Sequence, residues 1–274
     1  MPDPSAIGAS QFPQTRVGRA IAVASQRTGI DFDYLVDQAR LESNFDPQAR
    51  AKTSSASGLY QFTKQTWLGT VKQHGAEHGM EWAANAIERN SDGSYYISDP
   101  GLTGSILDMR QQPEAASLMA AEFASDNATF LQNSLGHSVQ QVDLYLAHFL
   151  GAAGAAKFLA AYDANPESAA APDFPKAAAA NQPIFYDGAG HPRSYAAIRA
   201  LFQKKLDSDG GFSGGSGAPA FAGSQANWSV RANTPNPGPA MTMRGFEPMP
   251  KGLSIAFAQQ AYQRLESMNG RNEA

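Results

Sequence analysis

Glu42 and the loop after it are the strongest candidates for chemistry in this sequence. Leu41-Glu42-Ser43-Asn44-Phe45-Asp46-Pro47 reads as a helix end running into a proline, followed by small polar residues and then Gly58-Leu59-Tyr60-Gln61-Phe62. Leu35, Ala39 and Glu42 fall at i, i+4 and i+7, so on a helix they share one face, with Gln38 one turn before the acid. A carboxyl there loses solvation and meets the negative end of the helix dipole. Both effects favour the protonated acid, the form that delivers a proton to a leaving oxygen. An isolated helical Glu is more often a hydrogen-bonded or solvated surface group, so the context has to carry the argument.

The context is an ordered set. Glu42-Ser43, the aromatic Phe45, Pro47, a Ser- and Thr-bearing loop, then Gly58-Leu59, Gln61 and Phe62 together resemble the soluble (SLT-type) lytic transglycosylases, lysozyme-like glycoside hydrolases. Tyr60 stands where that family has Met. The resemblance is strongest over residues 15–75 and continues more weakly to about residue 160. It implies that one Glu protonates the glycosidic oxygen between N-acetylmuramic acid and N-acetylglucosamine. The substrate's acetamido group stabilises the anomeric carbon, and the same Glu then deprotonates the 6-hydroxyl, leaving a 1,6-anhydro end. No second carboxylate is needed, unlike the paired acids of most glycosidases. Asp46, before a proline, reads as a turn residue.

The sequence departs from the family at two places. The family's loop Ser falls at Lys52, in a loop one residue longer, so Thr53, Ser54 or Ser55 is left to supply the hydroxyl. Ala147-His148-Phe149-Leu150-Gly151 aligns with the family's Ala-Tyr-Asn-Ala-Gly, which puts His148 in the place of the Tyr near the catalytic acid. Tyr145 is one turn earlier and within reach of a cleft. His148 would titrate near neutral pH and tune Glu42. The Gln61 amide suits an acetamido or peptide group. Tyr60, Tyr95 and Tyr96 offer faces for sugar rings, while Trp67 and Trp82 are assigned to packing. The substrate-binding set is thus Gln61, Tyr60, Ser55, Thr53, His148, Tyr145 and Tyr96.

No metal or cofactor is expected. His74 and His78 have helix-face spacing, but Gly75 lies between them and no His-Glu-x-x-His frame is present. The chain has no cysteine, which excludes disulfides and thiolate chemistry. A net charge of -4 with mixed signs gives no basic stripe for nucleic acid. No apolar run reaches a membrane span, and the N-terminus lacks a convincing signal peptide although the implied substrate lies in the periplasm or cell envelope.

These residues need a scaffold, and helical periodicity supplies it. Within 274 residues, residues 1–14 read as a flexible segment, 15–206 as a mainly α, lysozyme-like domain, 207–250 as a Gly/Ser/Pro-rich linker and 251–274 as a terminal helix suited to a protein partner. Thr63 and Asp33 read as helix caps, Gly29 and Gly75 as helix ends. Further helices are expected near 76–89, 114–134, 138–161 and 194–206. No strand is expected in the first 160 residues, and only a minor hairpin near Ile184-Phe185-Tyr186-Asp187-Gly188. Two other functions fit the same residues: a muramidase that hydrolyses with water, and a weakly active peptidoglycan-binding module of a secretion, flagellar or phage assembly.

Overall fold

Thr15 opens the first helix by accepting the Gly18 amide on its hydroxyl, and α1 (Arg16–Thr28) ends at Gly29 with φ 79°. The computed structural model describes residues 12–52 and 54–207. Residues 1–11, Thr53 and residues 208–274, where a linker and a terminal helix are expected from the sequence, lie outside the described residues. α2 (Phe32–Ser43) is capped by Asp31, whose carboxylate accepts the Tyr34 amide, rather than by Asp33. α3 (Lys64–His74) is capped by Thr63 and passes into a 3-10 turn, Gly75–His78. α4 (Glu81–Ala86), β1 (Ile87–Arg89), β2 (Tyr95–Ile97) and α5 (Thr103–Asp108) follow. Then come α6 (Pro113–Leu135), α7 (Gln141–Leu150), α8 (Ala152–Ala164), α9 (Pro175–Ala180), α10 (Gln182–Phe185) and α11 (Tyr195–Asp207).

The fold is mainly α, as expected, with one small antiparallel hairpin. β1 and β2 pair with Ile87 opposite Ile97 and Arg89 opposite Tyr95. They correct the expectation of a helix over 76–89 and of no early strand. Three residues per strand are too few for alternation to register, and only Ile87 is fully buried. The hairpin expected at Ile184–Gly188 is instead the short α10 followed by a turn. A single bridge joins Tyr186 and Pro192, and Asp187 Oδ1 accepts the Ala189 and His191 amides. The single helix expected over 138–161 is two, divided at Gly151, whose φ of 75° and ψ of 158° leave helical space.

α6 is the axis of the core. It packs against α1, α2, α3, α7 and α8. Its buried positions include five alanines, Ala116, Ala120, Ala121, Ala124 and Ala128, and small side chains let neighbouring backbones approach closely. α11 closes the other side: Phe202 sits against Tyr145 and Phe149 of α7 with ring centroids 5.5 and 5.0 Å apart. Trp67 is fully buried, edge-on to Phe62 at 5.3 Å, and its indole N–H reaches the Ile106 carbonyl. Trp82, by contrast, is 46% exposed, which corrects its assignment to packing.

Candidate active site

Glu42 sits in the last turn of α2 with only 4% of its surface exposed. Leu35 and Ala39 on the same face are fully buried, so the acid belongs to the core-facing stripe. Immediately after it the backbone turns sharply. Asn44 and Phe45 take positive φ (51° and 61°), as does Gln61 at 47°. Non-glycine residues rarely hold that conformation, and surrounding structure must enforce it. Here Phe45 is anchored on Phe12, with centroids 4.6 Å apart.

The loop returns to α2 through specific bonds. The Ser43 hydroxyl donates to the Leu59 carbonyl at 2.8 Å. The Tyr60 hydroxyl reaches the Leu35 carbonyl at 3.2 Å. Gln61 Nε2 donates to the carbonyls of Gly58 (2.8 Å) and Ala49 (3.1 Å). Gly58 lies so close to the 3-10 turn at Met109–Gln111 that a Cβ there would sit 1.7 Å from the Arg110 carbonyl oxygen. Arg110 is itself buried, and its guanidinium donates to the carbonyls of Ser55, Phe62 and Leu107. Burial and the nearby Arg50 hold Arg110 below its ordinary pKa.

His148, in the last turn of α7, meets Glu42. Its Nε2 is 3.1 Å from Glu42 Oε1, and its Nδ1 is 3.3 Å from Gln38 Nε2. Where the Gln38 amide donates to Nδ1, the imidazole proton sits on Nε2, facing the carboxyl. Tyr145 is buried one turn away, its ring centroid 6.1 Å from that of His148. Burial, and then the charge of Glu42, raise both the Tyr145 and Tyr34 phenols well above the ordinary value. The two hydroxyls stay protonated beside the acid.

The structure therefore gathers Glu42, His148 and Tyr145. It turns Tyr60 (2% exposed) and Gln61 (3%) inward. The Tyr60 hydroxyl and Gln61 Nε2 brace the loop, while Gln61 Oε1 is buried with no hydrogen-bond partner among the described residues. Ser55 is exposed, but its hydroxyl accepts the Lys64 amide at the start of α3. Tyr96 is 39% exposed on β2 and bonded to Glu88. The Tyr95 backbone is tied to Gln65 through both amide groups. Asp46 accepts the Gln48 amide in a turn, as expected. Gln38, Tyr34 and Arg110 also lie at the site or its loop, and no motif in the sequence marks them. The i, i+4 spacing of Gln38 and Glu42 was the one available signal for Gln38.

Residues 19–98 match the family model of the transglycosylase SLT domain. The matched stretch contains Glu42, the loop and the β1–β2 hairpin, and it bears out the resemblance read from Glu42 to Phe62. It makes this part of the chain similar to enzymes that act on the glycosidic bonds of peptidoglycan. His148 lies beyond the matched residues. Among the described residues no helix is long and apolar enough to cross a membrane.

Proposed function

We propose that the chain is a peptidoglycan lytic transglycosylase in which Glu42 is the single acid and base. The observation that carries this is the Gln38–His148–Glu42 chain of contacts at the end of α2. With the imidazole proton donated to Oε1, the carboxylic proton is left to Oε2. Oε2–H protonates the glycosidic oxygen and the N-acetylglucosamine side departs. The neighbouring acetamido group of N-acetylmuramic acid supports the anomeric carbon. The carboxylate then takes the proton from the 6-hydroxyl as its oxygen bonds that carbon. One proton leaves Glu42 and one returns, no water is consumed, and a 1,6-anhydro end remains.

The electrostatics suit both halves of the cycle. The His148 N–H bonds to Oε1 whether Glu42 is protonated or ionised, and bonds more strongly to the carboxylate. That stabilises the charge that develops as the proton departs. A water-using muramidase usually recruits a second carboxylate. Asp46, the nearest acid in the motif, is engaged in its own turn, which favours the lytic route. Peptidoglycan as substrate places the work of the chain in the cell envelope.

Peptidoglycan zymograms with Glu42→Gln test the role of the acid. Clearing disappears while the melting temperature stays within about 3 °C of wild type, because the amide keeps the shape and one acceptor oxygen. Clearing that survives the substitution removes Glu42 from the mechanism. A wild-type chain that binds peptidoglycan without clearing it is a binding module.

A further inference from the structure

We propose that His74, Glu77 and Glu122 form a binding site for a divalent first-row cation of the zinc type, clasping the end of α3 to α6. One donor atom from each of the three lies within 4.8 Å of the other two. The arrangement is more than a cluster of charges, because the remaining atoms of two of these ligands are already held. His74 Nε2 is 2.9 Å from Asp126 Oδ2, which leaves Nδ1 toward Glu122 Oε2 at 3.5 Å. Glu122 Oε1 is taken by His78 Nε2 at 2.6 Å, which leaves Oε2.

A metal-bound imidazole usually donates its other N–H to a carboxylate, and a ligating carboxylate is usually hydrogen-bonded on its other oxygen. Asp126 and His78 supply those two contacts here. The open pair is spaced for an ion: ligands about 2.0–2.2 Å from a tetrahedral centre stand about 3.4 Å apart. Imidazole and carboxylate donors suit zinc and its neighbours better than magnesium, which prefers oxygen and water. The His78 side chain is 5% exposed, and its Nδ1 is buried with no hydrogen-bond partner among the described residues.

The sequence pointed away from this site. His74 and His78 do not share a helix face, because α3 ends at His74 and a 3-10 turn carries His78. Glu77 comes from that turn, and Glu122 comes from α6, 44 residues beyond His78.

The test uses the full chain, stripped with EDTA and titrated with zinc chloride, with magnesium chloride as control. Zinc saturates one site and, at a hundredfold excess over its Kd, raises the melting temperature by about 5–10 °C. Magnesium leaves it unchanged. Cobalt(II) in place of zinc develops visible d–d absorption at one equivalent. His74→Gln and Glu122→Gln weaken zinc binding at least tenfold, and His148→Gln leaves it intact. Should either of the first two fail to fold, Glu77→Gln on the exposed side keeps the fold and weakens zinc at least tenfold. No saturable zinc binding, unchanged affinity in Glu77→Gln, or loss of binding in His148→Gln would each overturn the proposal, the last by placing the ion at Glu42.

Discussion

His148 Nε2 stands 3.1 Å from Glu42 Oε1, across 106 residues of sequence. The two side chains come from the last turns of α2 and α7. A tyrosine in that place would offer one hydroxyl. The imidazole offers two ring nitrogens, and the one turned away from Glu42 lies 3.3 Å from Gln38 Nε2.

His148→Phe is therefore expected to lower kcat about 10- to 100-fold, the range that loss of positioning at a reacting group produces. His148→Gln keeps an N–H donor and recovers part of that loss. Gln38→Met acts only through the imidazole. It lowers kcat several-fold while stability changes by less than about 1.5 kcal/mol, since one amide hydrogen bond is worth about 1 kcal/mol. Steady-state turnover of soluble glycan fragments, with melting curves alongside, checks all three. Full turnover in His148→Phe would mean that Glu42 works unaided.

The loop after Glu42 depends on a single missing side chain. Gly58→Ala combines a φ of +82° with a methyl 1.7 Å from the Arg110 carbonyl oxygen. The expected cost is on the order of 3 kcal/mol. Gly29→Ala shares the positive φ of +79° but meets no atom within 4 Å, so it costs about 1 kcal/mol. Urea denaturation of the pair isolates the contact with Arg110 from backbone strain. Equal losses would show that the close approach carries no weight.

Lys205, on α11 with its ammonium 5.3 Å from the centre of the Phe202 ring, gives a pH signature. Burial lowers its pKa to about 8. The unfolded chain holds that proton up to about pH 10.4. Between those values the unfolded state binds more protons, so stability rises with pH through this window. Below about pH 8 the full penalty of the buried charge is present. Lys205→Met removes the penalty and is expected to stabilise the chain at pH 7 by about 1–3 kcal/mol. Its stability should then be flatter than wild type from pH 8 to 10. Parallel slopes in the two proteins would show that Lys205 remains solvated.

Much of the scaffold was legible because it rests on local rules. Thr63 as a cap, Gly29 as a helix end and the apolar stripe through Leu35, Ala39 and Glu42 all follow from neighbours a turn away. The contact of His148 with Glu42 was legible only through the family resemblance. Periodicity places His148 on a helix but does not say which helix faces it. Tyr60 and Gln61 show a related limit: the sequence marks them as polar groups in a Gly-rich loop but does not show that the carbonyls of Leu35, Ala49 and Gly58 take up the Tyr60 hydroxyl and Gln61 Nε2. Arg110 and the Asp31 cap illustrate the same limit at long and short range. One braces a loop about fifty residues away in sequence (55 to Ser55), and the other lies two residues from an equally good candidate.

The most direct test of Glu42 as sole acid and base is mass spectrometry of the muropeptides released from purified peptidoglycan. Wild type should release fragments ending in 1,6-anhydro-N-acetylmuramic acid, and Glu42→Gln should release none. Reducing ends that carry an added water from wild type would contradict the lytic mechanism and assign the chain to the hydrolases.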